Sequence, residues 1–421
     1  MTYQESMAYI RSFSKSGSPV KNLSRIKNLL NELENPQDNL KFVHIAGTNG
    51  KGSTLALSSA AAIEAGFKTG QFTSPYMIRY NDRIRINNEN ISDDDVSELC
   101  TKVSKCHVAS ECSQFEITFA IALLYFLKEK CDIVFLETGL GGLLDATNVI
   151  KSPLVSVITS ISPDHTNILG ETIEEIAVHK AGIIKRNCSV ILSADNEDTV
   201  TDIIVKIANE KCSDIIIPNL YDCHIIDKSP DKTTFQYHSI DYTLKMPGMH
   251  QVYNALTAIE VVRILSMHGY LITAKNVVDA FKKVSVPARI QKVCDDPPVL
   301  LDGSHNQGGI IALTDVLISA NYAPIVIICG MLYTKDYKTA CHIISQVADY
   351  VICVDNFSDS SVPKEKLETY FYDSCPVKSL PLDEALPFAY ELVENSNGII
   401  AISGSLYLAS YFLGDNKSDA V

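Results

Sequence analysis

One short segment combines glycines, a lysine and hydroxyls in an order that suits phosphate binding. It reads VHIAGTNGKGST over residues 43–54, after a predicted strand at 40–46 and before a predicted helix at 54–65. Glycines let backbone N–H groups turn toward phosphate oxygens, and a helix N-terminus adds its dipole. Lys51 can reach the terminal phosphates, and the hydroxyl of Ser53 or Thr54 can bind phosphate or its Mg²⁺. The strict G-x-x-x-x-G-K-[ST] pattern is not met, because an isoleucine replaces the first glycine and Gly52 separates the lysine from the hydroxyls. A glycine turn made for packing alone is the alternative.

Three other side chains lie where carboxylate or phosphate chemistry could use them. Glu137 follows the apolar run DIVFL, a predicted strand, and a hard carboxylate at a strand end suits Mg²⁺. His165 follows the run LVSVITSI as part of an Asp-His pair. Lys180 lies on the same predicted helix face as Ile176 and Ala177, although lysines on buried faces usually extend to solvent. Taken singly, the first two could equally be a turn-stabilising glutamate and a structural histidine.

These residues are spread over a repeated order of apolar runs and helical patterns, which is typical of parallel α/β architecture. Between about 212 and 245 the pattern changes to alternating strands, which predicts an antiparallel appendage. A second α/β series follows. The sequence therefore predicts an ATP-binding domain over 1–284, a linker over 285–290 and a second α/β domain over 291–421.

Composition excludes several classes of protein. The 421 residues include 36 Lys and Arg against 50 Asp and Glu, a net charge of −14, which argues against a nucleic-acid surface. No apolar run approaches the ~18 residues needed to span a bilayer, so we expect no membrane association. The 12 cysteines form no CxxC pair and the N-terminus is polar, with no signal peptide. A reduced, cytoplasmic protein is expected.

The loop GTNGKGST resembles the phosphate loop of the Mur-ligase superfamily. The glycine after its lysine is similar to that of the bacterial folylpolyglutamate synthase and dihydrofolate synthase branch. Further motifs of this family occur in the same order, over about residues 20–410: TSPY at 73–76, NDRI at 81–84, FEIT at 115–118, ETGLGGLLDATN at 137–148, DHT at 164–166, KAGI at 180–183, HQ at 250–251, NA at 254–255, PAR at 287–289, DGSHN at 302–306, KD at 335–336 and GSLY at 404–407. The resemblance implies a phosphate-loop Mur-ligase-like ATPase domain followed by a Rossmann-like α/β domain.

The resemblance also implies ATP and two Mg²⁺ ions as cofactors. Its metal ligands would be Ser74, Glu137, His165 and Lys180, the last carbamylated, which turns a cation into an anionic oxygen ligand. Burial lowers the pKa of a lysine and lets its amine take up CO₂, so position and modification agree. The implied catalytic residues are Lys51, Glu137, His165, Lys180 and Arg289. The implied ATP contacts are Gly47, Thr48, Asn49, Gly50, Lys51, Gly52, Ser53, Thr54, Asn254, Arg289, Asp302 and His305.

A substrate pocket is implied by four more residues. Phe115, Asp145 and Ala146 match the family's pocket for dihydropteroate in bifunctional bacterial members, and Arg83 could bind a substrate carboxylate. On pattern alone, Phe115 could equally be a core residue and Arg83 a member of a surface ion pair.

Four positions depart from the family pattern. Leu143 replaces a common arginine, Tyr76 a histidine, His179 a glutamate and Gln307 a proline. The loss of a cation at Leu143 puts the usual substrate contact there in doubt.

The function predicted is an ATP- and Mg²⁺-dependent ligase that adds L-glutamate to tetrahydrofolate, and to dihydropteroate, through an acyl phosphate. A monofunctional member of the family and a non-catalytic paralogue that binds nucleotide or folate are the alternatives. A peptidoglycan Mur ligase would carry a UDP-sugar domain ahead of the loop, but only 46 residues precede Gly47. A monomer with small-molecule partners only is expected.

Overall fold

Two compact units make up the computed structural model, which describes residues 1–13, 22–371 and 374–414. The first unit contains residues 1–161, 165–220 and 253–281, and the second contains 162–164, 221–252 and the chain from 282 onward. The chain thus enters the second unit for the last time at Lys282, three residues before the predicted linker. Residues 221–252, which the sequence assigned to the ATP-binding domain, group with the second unit.

The described residues of the first unit form an eight-stranded sheet. Its strands are β1 Phe42–Ala46, β2 Thr69–Phe72, β3 Ile84–Ile86, β4 Glu89–Asn90, β5 Ile133–Glu137, β6 Val155–Ile158, β7 Ser189–Leu192 and β8 Ile215–Ile216. They are ordered β4-β3-β2-β5-β1-β6-β7-β8, and only the β3 and β4 pairings are antiparallel. Every residue of β1 and β5 is buried, as expected for parallel strands covered on both faces.

Helices cover this sheet: α1 Tyr3–Arg11, α2 Ser24–Glu32, α3 Lys51–Glu64, α4 Asp93–Val103, α5 Gln114–Lys128, α6 Thr166–Leu169, α7 Ile173–Ala181, α8 Asp198–Glu210, α9 Met249–Met267 and α10 Ala274–Phe281. Short 3₁₀ turns lie at Pro36–Asn39, Tyr80–Arg83, His107–Glu111, Ala146–Val149 and Leu220–Asp222. Capping boxes start α5 and α7, where the hydroxyls of Ser113 and Thr172 accept from the third helical residue. These caps fix where the site-bearing helices begin.

The second unit contains two sheets. The antiparallel one consists of β9 Cys223–Ser229, β10 Lys232–Tyr237 and β11 Ile240–Leu244, as the alternating pattern predicted. The other contains β12 Gln291–Asp295, β13 Pro298–Leu301, β14 Ile325–Cys329, β15 Tyr350–Cys353, β16 Val377–Ser379 and β17 Ile399–Ser403 in the order β12-β13-β17-β14-β15-β16. Only β12 is antiparallel to its neighbour. The helices are α11 Gln307–Ser319, α12 Tyr337–Ser345, α13 Lys364–Glu368, α14 Leu382–Val393 and α15 Leu406–Phe412.

The predicted fold class, a parallel α/β unit followed by a second α/β unit, is confirmed. Among the described residues, the helices are all too short or too polar to cross a membrane.

Candidate active site

The phosphate loop joins the end of β1 to the start of α3. Gly50, the last residue before the helix, has a φ of 84°, a left-handed conformation that favours glycine. A Cβ atom there would lie 2.2 Å from Oδ1 of Asn254, so the close approach of this side chain also requires glycine. The Thr48 N–H donates to the carbonyl of Ser160 over 2.7 Å, which fixes the loop to the segment after β6. The structure thus brings together the loop and Asn254, both predicted to contact ATP.

The lysine and hydroxyls of the loop lie in the first turn of α3, which begins three residues earlier than predicted. N–H groups in a first turn have no intrahelical acceptor, so they are open to an anion. Ser53 and Thr54 are both buried, and the Thr54 hydroxyl has no hydrogen-bond partner among the described residues. A buried hydroxyl of this kind fits a ligand that supplies the missing partner.

Lys51 and Glu137 meet beside the loop. The Lys51 ammonium donates to the carbonyls of Gly47 and Thr48, each over 3.2 Å, and lies 3.8 Å from Oε1 of Glu137. Glu137 is the last residue of β5, where the sequence predicted it just past the strand, and it is 6% exposed. The ion pair balances a carboxylate that the surrounding fold has largely removed from water.

Ser74 and Arg83 extend this group. The Ser74 N–H donates to Oε2 of Glu137 over 3.2 Å, and the Arg83 guanidinium donates to Oγ of Ser74 over 3.3 Å. The guanidinium also lies 5.0 Å from the centre of the Tyr76 ring, within the range of a cation–π contact. Tyr76, a departure from the family pattern, therefore helps to hold Arg83.

Lys180 reaches the same loop from α7. It is 4% exposed, and its ammonium donates to the carbonyl of Gly47 over 2.7 Å. The alternative that this lysine extends to solvent does not hold. Two lysines from different elements, Lys51 and Lys180, thus share one carbonyl acceptor at the phosphate loop.

The donor set near Glu137 fits part of a magnesium site. Mg²⁺ in proteins is usually held by one or two carboxylates together with waters and substrate phosphates. Glu137 supplies one such carboxylate, and the Ser74 hydroxyl oxygen lies in the same hydrogen-bonded group. Among the described residues, no three His, Cys, Asp or Glu side chains converge to hold a metal by themselves. His165 is exposed, in a left-handed conformation just before α6. A metal here would therefore depend on oxygens from the nucleotide.

Asp145 holds the turn that follows β5, residues 138–145, which we call the glycine turn. Its Oδ2 accepts from the N–H groups of Gly139 and Leu140, each over 2.9 Å, and its Oδ1 accepts from the N–H and the hydroxyl of Thr147. Burial raises the pKa of Asp145, and the hydrogen bonds from Thr147, Leu140 and Gly139 oppose that shift. The Asp145 carboxylate thus bonds directly to backbone N–H groups of the glycine turn. Ala146, predicted beside it in the substrate pocket, is buried at the start of a 3₁₀ turn.

His44, which the sequence analysis did not single out, extends this network into the core. Its Nε2 lies 2.8 Å from the Thr147 hydroxyl. Because that hydroxyl donates its only hydrogen to Asp145, His44 must donate through Nε2. Burial, followed by the charge of Lys185, lowers the pKa of His44 to about 3, so the ring is neutral. The sequence signal that could have identified His44 is a histidine within the otherwise apolar strand FVHIA.

Phe115 is both a core residue and a wall of the glycine turn. It is 7% exposed and lies 5.6 Å from Phe72 between ring centres. A Cβ on Gly139 would come within 2.7 Å of its ring, so ring and backbone are in close contact. Leu143, where the family commonly has arginine, is 44% exposed, and its N–H donates to the carbonyl of His179 over 2.7 Å.

In the second unit, Asp302 holds residues 287–290, which we call the linker turn. Its Oδ2 accepts from the N–H of Ile290 and its Oδ1 from the N–H of Ser304, each over 2.9 Å. Ala288 and Ile290 have φ values of 52° and 48°, uncommon for residues with a side chain. Arg289, between them, is partly exposed. The structure therefore brings Asp302 and the linker turn together.

His305 belongs to a polar cluster around Asp164. Its Nε2 lies 3.8 Å from Oδ2 of Asp164, which also accepts from the Asn306 amide over 3.1 Å. The Lys335 ammonium donates to Oδ1 of Asp164 over 2.7 Å. These residues occur in three of the sequence motifs, but the sequence analysis gave Asp164 and Lys335 no role.

The chain matches the Mur ligase middle domain over residues 45–262. It is 33% identical to the dihydrofolate synthase/folylpolyglutamate synthase of Bacillus subtilis, over 97% of each chain. It is also similar to the crystal structure of Mycobacterium tuberculosis folylpolyglutamate synthase complexed with ADP and AMPPCP, with a TM-score of 0.87, 25% identity and 99% of each chain covered. A second structure, an FPGS–AMPPCP–folate complex, matches with a TM-score of 0.83, 29% identity and 98% of each chain covered.

Proposed function

Because the chain belongs to the Mur-ligase family of folylpolyglutamate and dihydrofolate synthases, we propose that it joins L-glutamate to a folate carboxylate at the expense of ATP. The relatives carry this activity in their names, and solved structures of such enzymes hold an ATP analogue and folate. The observation that carries the proposal is the convergence of Lys51 and Lys180 on the Gly47 carbonyl, with Glu137 beside Lys51.

The reaction has to overcome the low reactivity of a carboxylate toward an amine. A carboxylate oxygen attacks the γ-phosphorus of ATP, the bond to the β-phosphate oxygen breaks, and ADP leaves. The amine of glutamate then attacks the acyl phosphate, a tetrahedral intermediate forms, and phosphate leaves as the amide is made while the amine loses a proton. The protein must position the groups and balance the charge of the phosphoryl group in transfer.

Residues of the phosphate loop supply the first part of this task. The N–H groups in the first turn of α3 and the Lys51 ammonium bind the phosphates, and the unpartnered Thr54 hydroxyl donates to one of them. Arg289, Asn254, Asp302 and His305 are the further nucleotide contacts that we propose from the family motifs. Since Asp302 uses both oxygens on backbone, we assign it to holding the linker turn beside Arg289.

Magnesium would be held by Ser74, Glu137 and His165, with a carbamylated Lys180 as a ligand of a second ion. When bound, the metal neutralises phosphate charge and makes phosphorus easier to attack. A carbamate on Lys180 keeps one N–H, so it can still donate to the Gly47 carbonyl while adding two anionic oxygens.

The acceptor is either a folate or dihydropteroate. In this proposal Phe115 forms an apolar wall of the acceptor pocket. Asp145 supports that wall indirectly, because its carboxylate accepts from the N–H of Gly139, whose backbone lies against the Phe115 ring. Ala146 follows Asp145 in the chain. Arg83, whose guanidinium donates to Oγ of Ser74, is the residue that we propose binds a substrate carboxylate. A cytoplasmic location and a monomeric state remain predictions from the sequence.

One assay tests the proposal. The protein is incubated with ATP, Mg²⁺, glutamate and either dihydropteroate or tetrahydrofolate, and phosphate release and product mass are followed. Product from both acceptors shows a bifunctional enzyme, and product from one shows a monofunctional enzyme. The absence of a glutamyl product from any pterin acceptor contradicts the proposed function.

Lys180 allows a sharper experiment. Lys180→Ala should lower turnover by at least about 10³-fold, since it removes both a loop contact and a metal ligand. Lys206→Ala, at an exposed position of α8, is the matched control. Carbon-13 NMR with labelled bicarbonate should give a carbamate signal in the wild type that Lys180→Ala lacks. Retained activity in Lys180→Ala would exclude the carbamate.

A further inference from the structure

The second unit contains a cavity of about 460 Å³, and among its described lining residues only Arg289 has a role in the proposed reaction. It lies among β10, the end of β11, the segment after α10 and the start of β12. Its charged lining residues are Asp231, Lys232, Lys245, Lys282, Arg289 and Lys292. Five cations and a single carboxylate thus surround one cavity in a chain whose net charge is −14.

The carboxylate in the lining is already engaged. Asp231 accepts from the Ser229 hydroxyl over 2.7 Å and lies 3.4 Å from the Lys292 ammonium. Lys292 has a second partner, Asp295, at 2.8 Å, and Lys232 pairs with Asp227 at 3.2 Å. Both of these acids lie outside the lining. These pairs engage two of the five cations of the lining.

Three cations of the lining have no acidic partner. Within the described part of the chain, Lys245, Lys282 and Arg289 form no hydrogen bond through their side chains and no ion pair. Like charges gathered around a concave surface focus a field that attracts anions. An anionic ligand would relieve this repulsion.

Arg289 is held at the cavity by backbone geometry. The left-handed Ala288 and Ile290 flank it, and each such residue costs of order 1–3 kcal/mol. The Ile290 N–H is bonded to Asp302, and the Ala288 carbonyl accepts from Gly303 over 2.9 Å. The fold thus maintains a strained turn at the residue whose guanidinium lines the cavity.

We propose that this cavity binds the oligo-γ-glutamyl tail of an elongated substrate. The inference rests on the proposed function, because each glutamate added by the enzyme leaves one more α-carboxylate on the product. The cavity volume is within the ~300–1,000 Å³ usual for small-molecule sites. Its cations come from separate segments, which suits charges repeated along a chain and paired as carboxylate contacts.

A phosphate group is the less suitable occupant. Phosphate sites in α/β folds use glycine turns and the N-terminus of a helix. The described lining contains no glycine, and its residues lie on strands, in the turn before β10, just after β11 or in the segment between α10 and β12. Carboxylates spaced along a flexible chain fit a lining of long lysine side chains better.

The test compares acceptors that differ only in tail length. The double variant Lys245→Glu with Lys282→Glu changes two cations whose side chains form no hydrogen bond or ion pair within the described part of the chain. The control, Lys105→Glu with Lys206→Glu, makes the same change in net charge at exposed positions of the first unit. At low salt, we expect the KM for a pentaglutamyl folate to rise about tenfold in the cavity variant, equivalent to about 1.4 kcal/mol, with the monoglutamyl KM unchanged. The control should alter neither.

Two results would overturn the proposal. One is an equal rise for both acceptors, and the other is a rise in the KM for ATP with both acceptors unchanged, which would identify a phosphate site. Circular dichroism and thermal melting confirm that each variant is folded. Lys245→Gln with Lys282→Gln should give a smaller rise of the same selectivity.

Direct binding separates this proposal from the proposed function. Free penta-γ-glutamate is titrated by calorimetry into the full-length protein without ATP or pterin. If the wild type binds the peptide and the cavity variant binds it at least about fivefold more weakly, the cavity is supported even if no glutamyl product is ever formed. No binding to the wild type, or equal weakening in the control, refutes the cavity assignment whatever the enzyme makes.

Discussion

The glycine turn of the first unit and the linker turn of the second are each held by one buried aspartate. Asp145 and Asp302 are 6% and 3% exposed, and both use their two oxygens to accept backbone N–H groups. Asp145 closes the turn that follows β5, and Asp302 directly follows β13. Both therefore lie after the ends of parallel strands, where α/β folds place their ligands. The same device therefore occurs at two sites with different surroundings.

The difference lies in how much strain the aspartate opposes. In the glycine turn the left-handed residue is Gly141, which adopts that conformation at little cost, and Asp145 is further linked through Thr147 to His44. In the linker turn the left-handed residues are Ala288 and Ile290. The first turn therefore supports Phe115 and the end of β5 without backbone strain at its left-handed residue. The second turn holds two residues in an unfavourable backbone conformation, and Arg289 between them lines the cavity.

The largest expected effect is at Asp145. Asp145→Asn replaces one acceptor oxygen by an amide that donates, so two bonds to N–H or hydroxyl groups are lost and their buried donors remain unpaired. Hydrogen bonds to charged groups contribute about 1.5–3 kcal/mol each, so we expect the free energy of unfolding to fall by about 3–5 kcal/mol. Urea denaturation followed by circular dichroism measures it.

Asp195→Asn is the matched control for this change. Asp195 accepts one side-chain hydrogen bond, from Ser193 over 2.6 Å, and is less buried. Its substitution should cost about 1 kcal/mol. Equal losses at the two positions would mean that the network around Asp145 contributes nothing beyond an ordinary hydrogen bond.

A pH dependence of about 2 kcal/mol is expected from His44. Burial lowers its pKa to about 3 in the folded chain, while the unfolded chain takes up a proton near 6.5. As the pH falls from 6.5 toward 3, the unfolded state therefore binds more protons, and folding stability falls by about 1.4 kcal/mol per pH unit. The contribution is complete above pH 6.5 and is lost below that value.

His44→Gln isolates this contribution, because glutamine does not titrate and its amide can still donate to Thr147. Between pH 7 and pH 5, the wild type should lose about 2 kcal/mol more stability than the variant. Burial lowers the pKa of His250, beside the linker turn, to about 4, so the second unit keeps a similar dependence in both proteins. Identical pH profiles for wild type and His44→Gln would contradict a neutral, buried His44.

Sequence patterns predicted the parts of the site that are local. The strand, phosphate loop and helix around Lys51 follow from residue types within twelve positions, and Glu137 follows from its place at the end of an apolar run. The α/β class follows from the repeated order of such segments. Each of these rests on periodicity or on a conformation that one residue type strongly favours.

Other parts depend on contacts that no local pattern encodes. The bond between Asp164 and Lys335 joins residues 171 positions apart. Residues 221–252 group with the second unit although they are continuous in sequence with the first. Alanine and isoleucine both disfavour the left-handed conformation that Ala288 and Ile290 adopt. The sequence therefore could not predict it, because it depends on tertiary hydrogen bonds.

Of the two aspartates that hold turns, Asp302 should show the smaller change in stability, and this change tests whether strain distinguishes the two turns. Asp302→Asn loses one bond, since each oxygen of Asp302 accepts a single N–H, whereas Asp145→Asn loses two. Release of Ile290 and Ala288 from left-handed geometry offsets about 1 kcal/mol of that loss. The net loss of unfolding free energy should be about 1–2 kcal/mol.

A double-mutant cycle with Ala288→Gly measures the offset directly. Glycine accepts a φ of 52° without strain, while Gly303 can still donate to the residue 288 carbonyl. In this background Asp302→Asn has less strain left to release, so it should cost about 1 kcal/mol more than it does in the wild type. An additive cycle would show that Asp302 does not hold the linker turn against strain, and the two aspartates would then be equivalent supports. A coupled cycle would show that Asp302 holds the strained backbone. If kcat/KM also falls in Asp302→Asn by more than the loss of stability explains, the strained backbone is needed to position Arg289.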